Sequence, residues 1–169
     1  HGSGAPVLEA PATGLTKLAR RMGIQRSPTK SEGEVLLEAY EDSKGNLWFS
    51  TLNDGLYYYT QDRLFRIDEQ DGLPDIYVYD IVEDHFGNIW AGTDGGAAIC
   101  SLQERKVTIQ VLDYDNGLPD NIVKKLHIDR NNAVWMGTED AGVLSFDQAS
   151  GKTTTLIKEW KFGALTDFS

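Results

Sequence analysis

Three tryptophans, Trp48, Trp90 and Trp135, recur at intervals of 42 and 45 residues, each at the end of one phrase. Glu41 to Trp48 reads EDSKGNLW, Glu83 to Trp90 reads EDHFGNIW, and Ile128 to Trp135 reads IDRNNAVW. A threonine follows each tryptophan at a fixed distance, in FST, AGT and MGT. A second anchor, GLP at Gly72 and Gly117, repeats at 45 residues and gives the same register. A period of this length builds a chain by stacking one supersecondary unit, because so small a unit cannot bury its apolar face alone.

Inside the second unit, β-rich runs alternate with turn chemistry. Tyr77 to Glu83, Ile89 to Thr93, Ala97 to Leu102 and Val107 to Asp113 are separated by DHFGN, DGG and QERK. Four strands in about 40 residues is the content of a propeller blade. The expected fold is all-β: three four-stranded antiparallel blades over residues 34–69, 77–113 and 122–158. Gly45 and Gly87 supply the positive φ that tight hairpins need, and the aspartate before each bonds back to turn amides. These Asp-Gly-Asn turns lack the spacing and terminal glutamate of a calcium loop, so they read as hairpins and no metal site is expected. LWFST, IWAGT and VWMGT are apolar on both faces, as strands packed between neighbouring sheets must be. The tryptophans then read as wedges between blades, with sugar stacking as the sharper alternative.

Residues 1–33 fall outside the repeat: HGSG reads as a tag remnant, Leu15, Leu18, Ala19 and Met22 lie at helical spacing before Gly23, and RSPTKSEGE reads as a polar connector. Residues 159–169 resemble the link that opens a further repeat, with FGALTDF in the place of NGLPDNI. Closed propellers use four to eight blades. Three blades therefore point either to part of a longer propeller or to a homodimer closing a six-bladed ring about a two-fold axis.

The formal charge of -10 argues against a nucleic-acid surface and against contact with an anionic membrane, and no apolar run approaches the roughly 20 residues of a spanning helix. Cys100, the one cysteine, lies in AAICSL and reads as a buried strand residue without a basic neighbour to activate it. No phosphate-cradling glycine loop, Ser-His-Asp order or Cys/His metal spacing is present, and no cofactor is expected. The histidines offer little to catalysis: His1 belongs to the tag remnant, His85 to a turn, and His127 to the strand KKLHID. Ligand-binding candidates fall instead on the links between blades and the turns between second and third strands, which gather on one face of a propeller. In the links these are Asp71, Asp75, Asn116, Asp120 and Asn121; in the turns they are Asn53, Asp54, Asp94, Glu139 and Asp140. Such side chains hydrogen-bond polyhydroxylated or cationic ligands, and they also serve as plain turn formers.

Taken together, GLPDN, EDxxGNIW and GTxxG resemble the two-component regulator propeller repeat over about residues 34–169. The third unit departs from it with Asn131 and Asn132 where the repeat has Gly-Asn, and the first with Phe49-Ser50 before its threonine. The resemblance implies the extracytoplasmic sensor region of a bacterial hybrid histidine kinase: a binding or scaffolding module without catalysis, recognising a small molecule or oligosaccharide. GNIW at this period is also similar to the streptogramin lyase propellers, which implies the competing expectation of an enzyme with a histidine base.

Overall fold

The computed structural model describes residues 35–159, and within them the three repeats form three separate four-stranded antiparallel meanders. Blade 1 consists of β1 (Val35–Glu41), β2 (Leu47–Leu52), β3 (Leu56–Thr60) and β4 (Arg63–Ile67). Blade 2 consists of β5 (Val78–Glu83), β6 (Ile89–Thr93), β7 (Gly96–Gln103) and β8 (Lys106–Leu112). Blade 3 consists of β9 (Val123–Ile128), β10 (Val134–Thr138), β11 (Val143–Asp147) and β12 (Lys152–Ile157). The first strand of each blade lies against the first strand of the next, so β1, β5 and β9 form the inner edge of a fan. The expected helix at Leu15 to Met22 lies outside the described residues, as does the expected link at 159–169 beyond its first residue, Glu159.

The repeated phrase is a hairpin with its own internal scaffold. In blade 1, Asp42 Oδ1 accepts the amides of Lys44 and Asn46 at 3.0 and 2.8 Å, while Oδ2 accepts the Trp48 indole N–H at 2.9 Å. Asp84 and Asp129 make the same bonds to their own turns and to Trp90 and Trp135. The left-handed position of the turn is Gly45, Gly87 and Asn132, the last at φ 64°. Asn132 therefore takes the glycine's place and Ala133 the asparagine's, one residue later than the sequence comparison put them. Asparagine tolerates that conformation better than other side chains, so the hairpin survives.

The threonine builds the next turn. Thr51, Thr93 and Thr138 each donate a hydroxyl to the carbonyl of Gly55, Gly96 or Gly142 and accept an amide from within the same turn. Each of these glycines has positive φ and a carbonyl of the fourth strand pressed against it; a Cβ on Gly55 would lie 2.4 Å from Ile67 O. No other residue fits there.

Between blades the core is continuous. Trp48, Tyr58 and Phe65 on blade 1 pack with Ile81, Ile89, Ala98 and Cys100 on blade 2. Trp90 on the opposite face of blade 2 packs with Val134, Met136 and Leu144 of blade 3, and lies 5.8 Å from the Phe146 ring. Leu73 and Leu118, the leucines of GLP, plug these two layers. Cys100 is fully buried, and burial pushes its thiol up to about 12, which makes it inert.

The wedge role holds for Trp48 and Trp90, both 0% exposed. Trp135 alternates away from blade 2 and is only half-buried, with exposed His127 and Lys125 on its strand neighbour. The far face of blade 1 differs: Phe49, Tyr57 and Leu64 there are already buried in the single chain. The two ends of the fan are thus unlike.

Candidate functional site

Each inner strand carries an irregularity at the same place. The register breaks between Leu36 and Glu38, between Val78 and Asp80, and opposite Gly137 and Thr138, leaving Leu37, Tyr79 and Lys124 as the extra residues. A bulge re-aims the side chain it carries, and bulges concentrate where a fold presents functional groups. The residue after the repeat threonine, which lies beside the bulge, is Leu52, Asp94 or Glu139. Blade 1 therefore places two leucines here, blade 2 a tyrosine and a carboxylate, and blade 3 a lysine and a carboxylate.

Blades 2 and 3 join these groups into one cluster. The Tyr79 hydroxyl donates to Asp94 Oδ1 at 2.6 Å. Lys124 Nζ is 3.3 Å from Glu139 Oε1 and stands 4.7 Å above the centre of the Tyr79 ring. Burial holds the Asp94 carboxyl above its usual range; the Tyr79 hydrogen bond and Lys124 pull it down, while Asp75 and Glu139 push it up. Tyr79 is likewise raised, by burial first and then by its bond to Asp94. Three carboxylates, one ammonium and one phenol thus share a half-buried rim. Below it on the inner strands lie Glu38, Asp80 and Lys125, equivalent positions of the three blades. Asp80 is fixed across the blade boundary by accepting the Leu126 amide at 2.9 Å, and burial raises its pKa despite that bond.

Of the residues singled out from sequence, Asp75, Asp94 and Glu139 belong to this cluster. Asp75 also accepts the Tyr77 amide at 2.8 Å. Asp71 and Asn116 close capping boxes with Asp68 and Asp113 in the two links. Asn121 accepts the Tyr114 amide at 2.9 Å, and buried Asp120 accepts the amides of Ile122 and Asp140 at 3.1 and 2.7 Å. Asn53 occupies a left-handed turn position at φ 87°. Asp54 is buried in blade 1, takes the Tyr57 hydroxyl, and has Arg66 Nε 3.7 Å away. Tyr79 and Lys124 were missed. A bulge offsets the strand alternation by one residue, and the signal available was their shared position relative to the repeat tryptophan.

The fold and rim define an arc of β-propeller blades whose inner end gathers hydrogen-bonding side chains. Residues 72–95, the link and first hairpin of blade 2, match the sequence model described as two component regulator propeller, which bears out the resemblance read from the repeat. No protein of curated function matches the chain. Among solved structures, the extracellular domain of a protein described as a hybrid two-component system of B. thetaiotaomicron superposes with a TM-score of 0.63 at 21% identity. That match covers 72% of this chain and 16% of the other. A second extracellular domain from the same organism, described as a one-component system, gives 0.58 at 19%, covering 78% of this chain and 18% of that one. A catalytically inactive virginiamycin B lyase from Staphylococcus aureus, crystallised with quinupristin, gives 0.54 at 18%, covering 76% and 42%. The likeness at these identities is one of fold, and this chain spans under half the length of each neighbour.

Proposed function

We propose that the chain is a segment of an extracytoplasmic sensory propeller that holds an oligosaccharide at the inner rim without converting it. The rim cluster carries this reading: two bulges aim Tyr79 and Lys124 at the end of the fan where Asp94 and Glu139 supply acceptors. Carboxylates accept hydrogen bonds from sugar hydroxyls, an ammonium donates to ring and hydroxyl oxygens, and a phenol does both. The extracellular location of the two signalling-protein domains that share the fold supports the location and the sensory role.

Against catalysis stands the placement of His127. It is exposed on β9 opposite Trp135, and the contacts that build the rim run through Tyr79, Asp94, Lys124 and Glu139 without it. The test is calorimetry of the chain against a panel of oligosaccharides, with Tyr79→Phe and Lys124→Ala as site variants, beside a lyase assay on cyclic depsipeptide antibiotics. Binding of one panel member that either variant weakens tenfold or more is the expected outcome. Turnover in the lyase assay that His127→Ala abolishes would overturn it.

A further inference from the structure

The face of blade 1 that points away from blade 2 is apolar. Leu47 pairs with Tyr59, Phe49 with Tyr57 and Tyr59 with Leu64, and cross-strand partners share a face. Blade 2 packs on the other side, against Trp48, Tyr58 and Phe65, and blade 3 lies beyond blade 2. Phe49, Tyr57 and Leu64 are nevertheless only 6%, 1% and 5% exposed, as deep as residues between two blades. The outer face of blade 3 shows the contrast: Trp135 there is half-buried, and Lys125 and His127 beside it are exposed. A single sheet face cannot bury its own aromatic rings, so the cover on blade 1 is a further piece of chain.

We propose that Leu15, Leu18, Ala19 and Met22 are that cover, the apolar stripe of a short amphipathic helix laid across β2 and β3. Their spacing sets them on one side of a helix that Gly23 ends, with Lys17, Arg20 and Arg21 on the other. Arrays of stacked repeats are ended in this way, by a cap that is apolar within and polar without. The connection also fits. Residues 24–34 run from this stripe directly into β1 of blade 1, and at about 3.3 Å per extended residue they reach further than the ~10 Å between packed layers. Residues 159–169 instead leave β12, the outer strand of blade 3, two blades away. A second copy of the chain is not needed, because Phe49, Tyr57 and Leu64 are buried within one.

The test is a double-mutant cycle on the full chain, read as the midpoint of urea unfolding. Leu18→Ala and Leu64→Ala should each lower the midpoint, and together they should lower it by clearly less than the sum, as residues in contact do. Lys17→Ala, on the outer side of the same stretch, should leave it unchanged. Phe49→Leu takes the place of Leu64→Ala if the latter does not fold. Hydrogen exchange of Leu18→Ala should show the amides of β2 and β3 less protected and those of β9 and β10 as in the natural chain. A silent Leu18→Ala, additive losses, or unaltered exchange of β2 and β3 would overturn the proposal. Coupling of Leu64 to Phe162→Ala and not to Leu18→Ala would overturn it in favour of the C-terminal residues. A dimer seen by light scattering at micromolar concentration and dissociated by Leu64→Ala would overturn it in favour of a second copy.

Discussion

The indole nitrogen of Trp90 donates to Asp84 Oδ2 at 2.9 Å, and the other oxygen of that carboxylate takes the amides of Phe86 and Asn88 at 3.0 and 2.9 Å. One side chain thus shapes the hairpin and pins the wedge that closes the space between blades. Asp84→Ala removes an acceptor from three donors, one of them buried, and should cost about 3 kcal/mol in urea unfolding. Asp84→Asn should recover only part of this, since one of its terminal atoms is then a donor facing a donor. A wild-type midpoint for Asp84→Ala would refute the scaffold role.

Trp90 and Trp135 occupy the same place in their repeats and differ in what covers them. Trp90→Ala empties a layer between two sheets and should cost about 3 to 5 kcal/mol, as large-to-small core changes do. Trp135→Ala loses packing on one blade only and should cost less than half as much. Equal losses in chemical unfolding would mean that the third blade is as well covered as the second.

The fold was legible because one period of hydrophobic and turn residues was written three times, and the Trp, Thr and GLP anchors each turned out to serve a defined contact. The candidate site was half legible. Asp94 and Glu139 follow the repeat threonine and could be located by counting. Tyr79 and Lys124 could not be found by strand alternation, because the bulges at Val78/Asp80 and opposite Gly137/Thr138 shift the side chains by one. Asp71 and Asn116 show the opposite difficulty. Their spacing from Asp68 and Asp113 matches a capping box as well as it matches a ligand site, and the structure uses them as caps.

Gly92 marks how closely blades 2 and 3 approach. A Cβ there would lie 2.6 Å from the Val123 carbonyl oxygen, and backbone cannot yield as a flexible side chain can. Gly92→Ala should therefore push β6 from β9 and cost about 1 to 3 kcal/mol, the range for overpacking a tight contact. Gly45→Ala is the comparison, because its φ of 87° is strained but nothing lies within 4 Å of the added carbon. It should cost about 1 to 2 kcal/mol through backbone strain alone. Hydrogen exchange separates the two: Gly92→Ala should deprotect β9, and Gly45→Ala should leave β9 untouched.

The raised carboxyl of Asp94 sets the sign of a pH effect. A carboxyl whose pKa is higher in the fold than in the unfolded chain binds more protons in the native state between those two values, so stability falls as pH rises through that window. Above the folded pKa the loss is complete and constant. Burial is the first cause of the shift, and the Tyr79 hydroxyl opposes it without cancelling it. Asp94→Asn keeps an acceptor for Tyr79 and removes the charge, so it should abolish this contribution to the pH slope. Urea unfolding at intervals from pH 3.5 to 7 should show the variant gaining on wild type as pH rises from about 4, the ordinary aspartate range. A variant that instead loses ground toward pH 7 would show that the Asp94 charge stabilises the rim, through Lys124, more than burial penalises it.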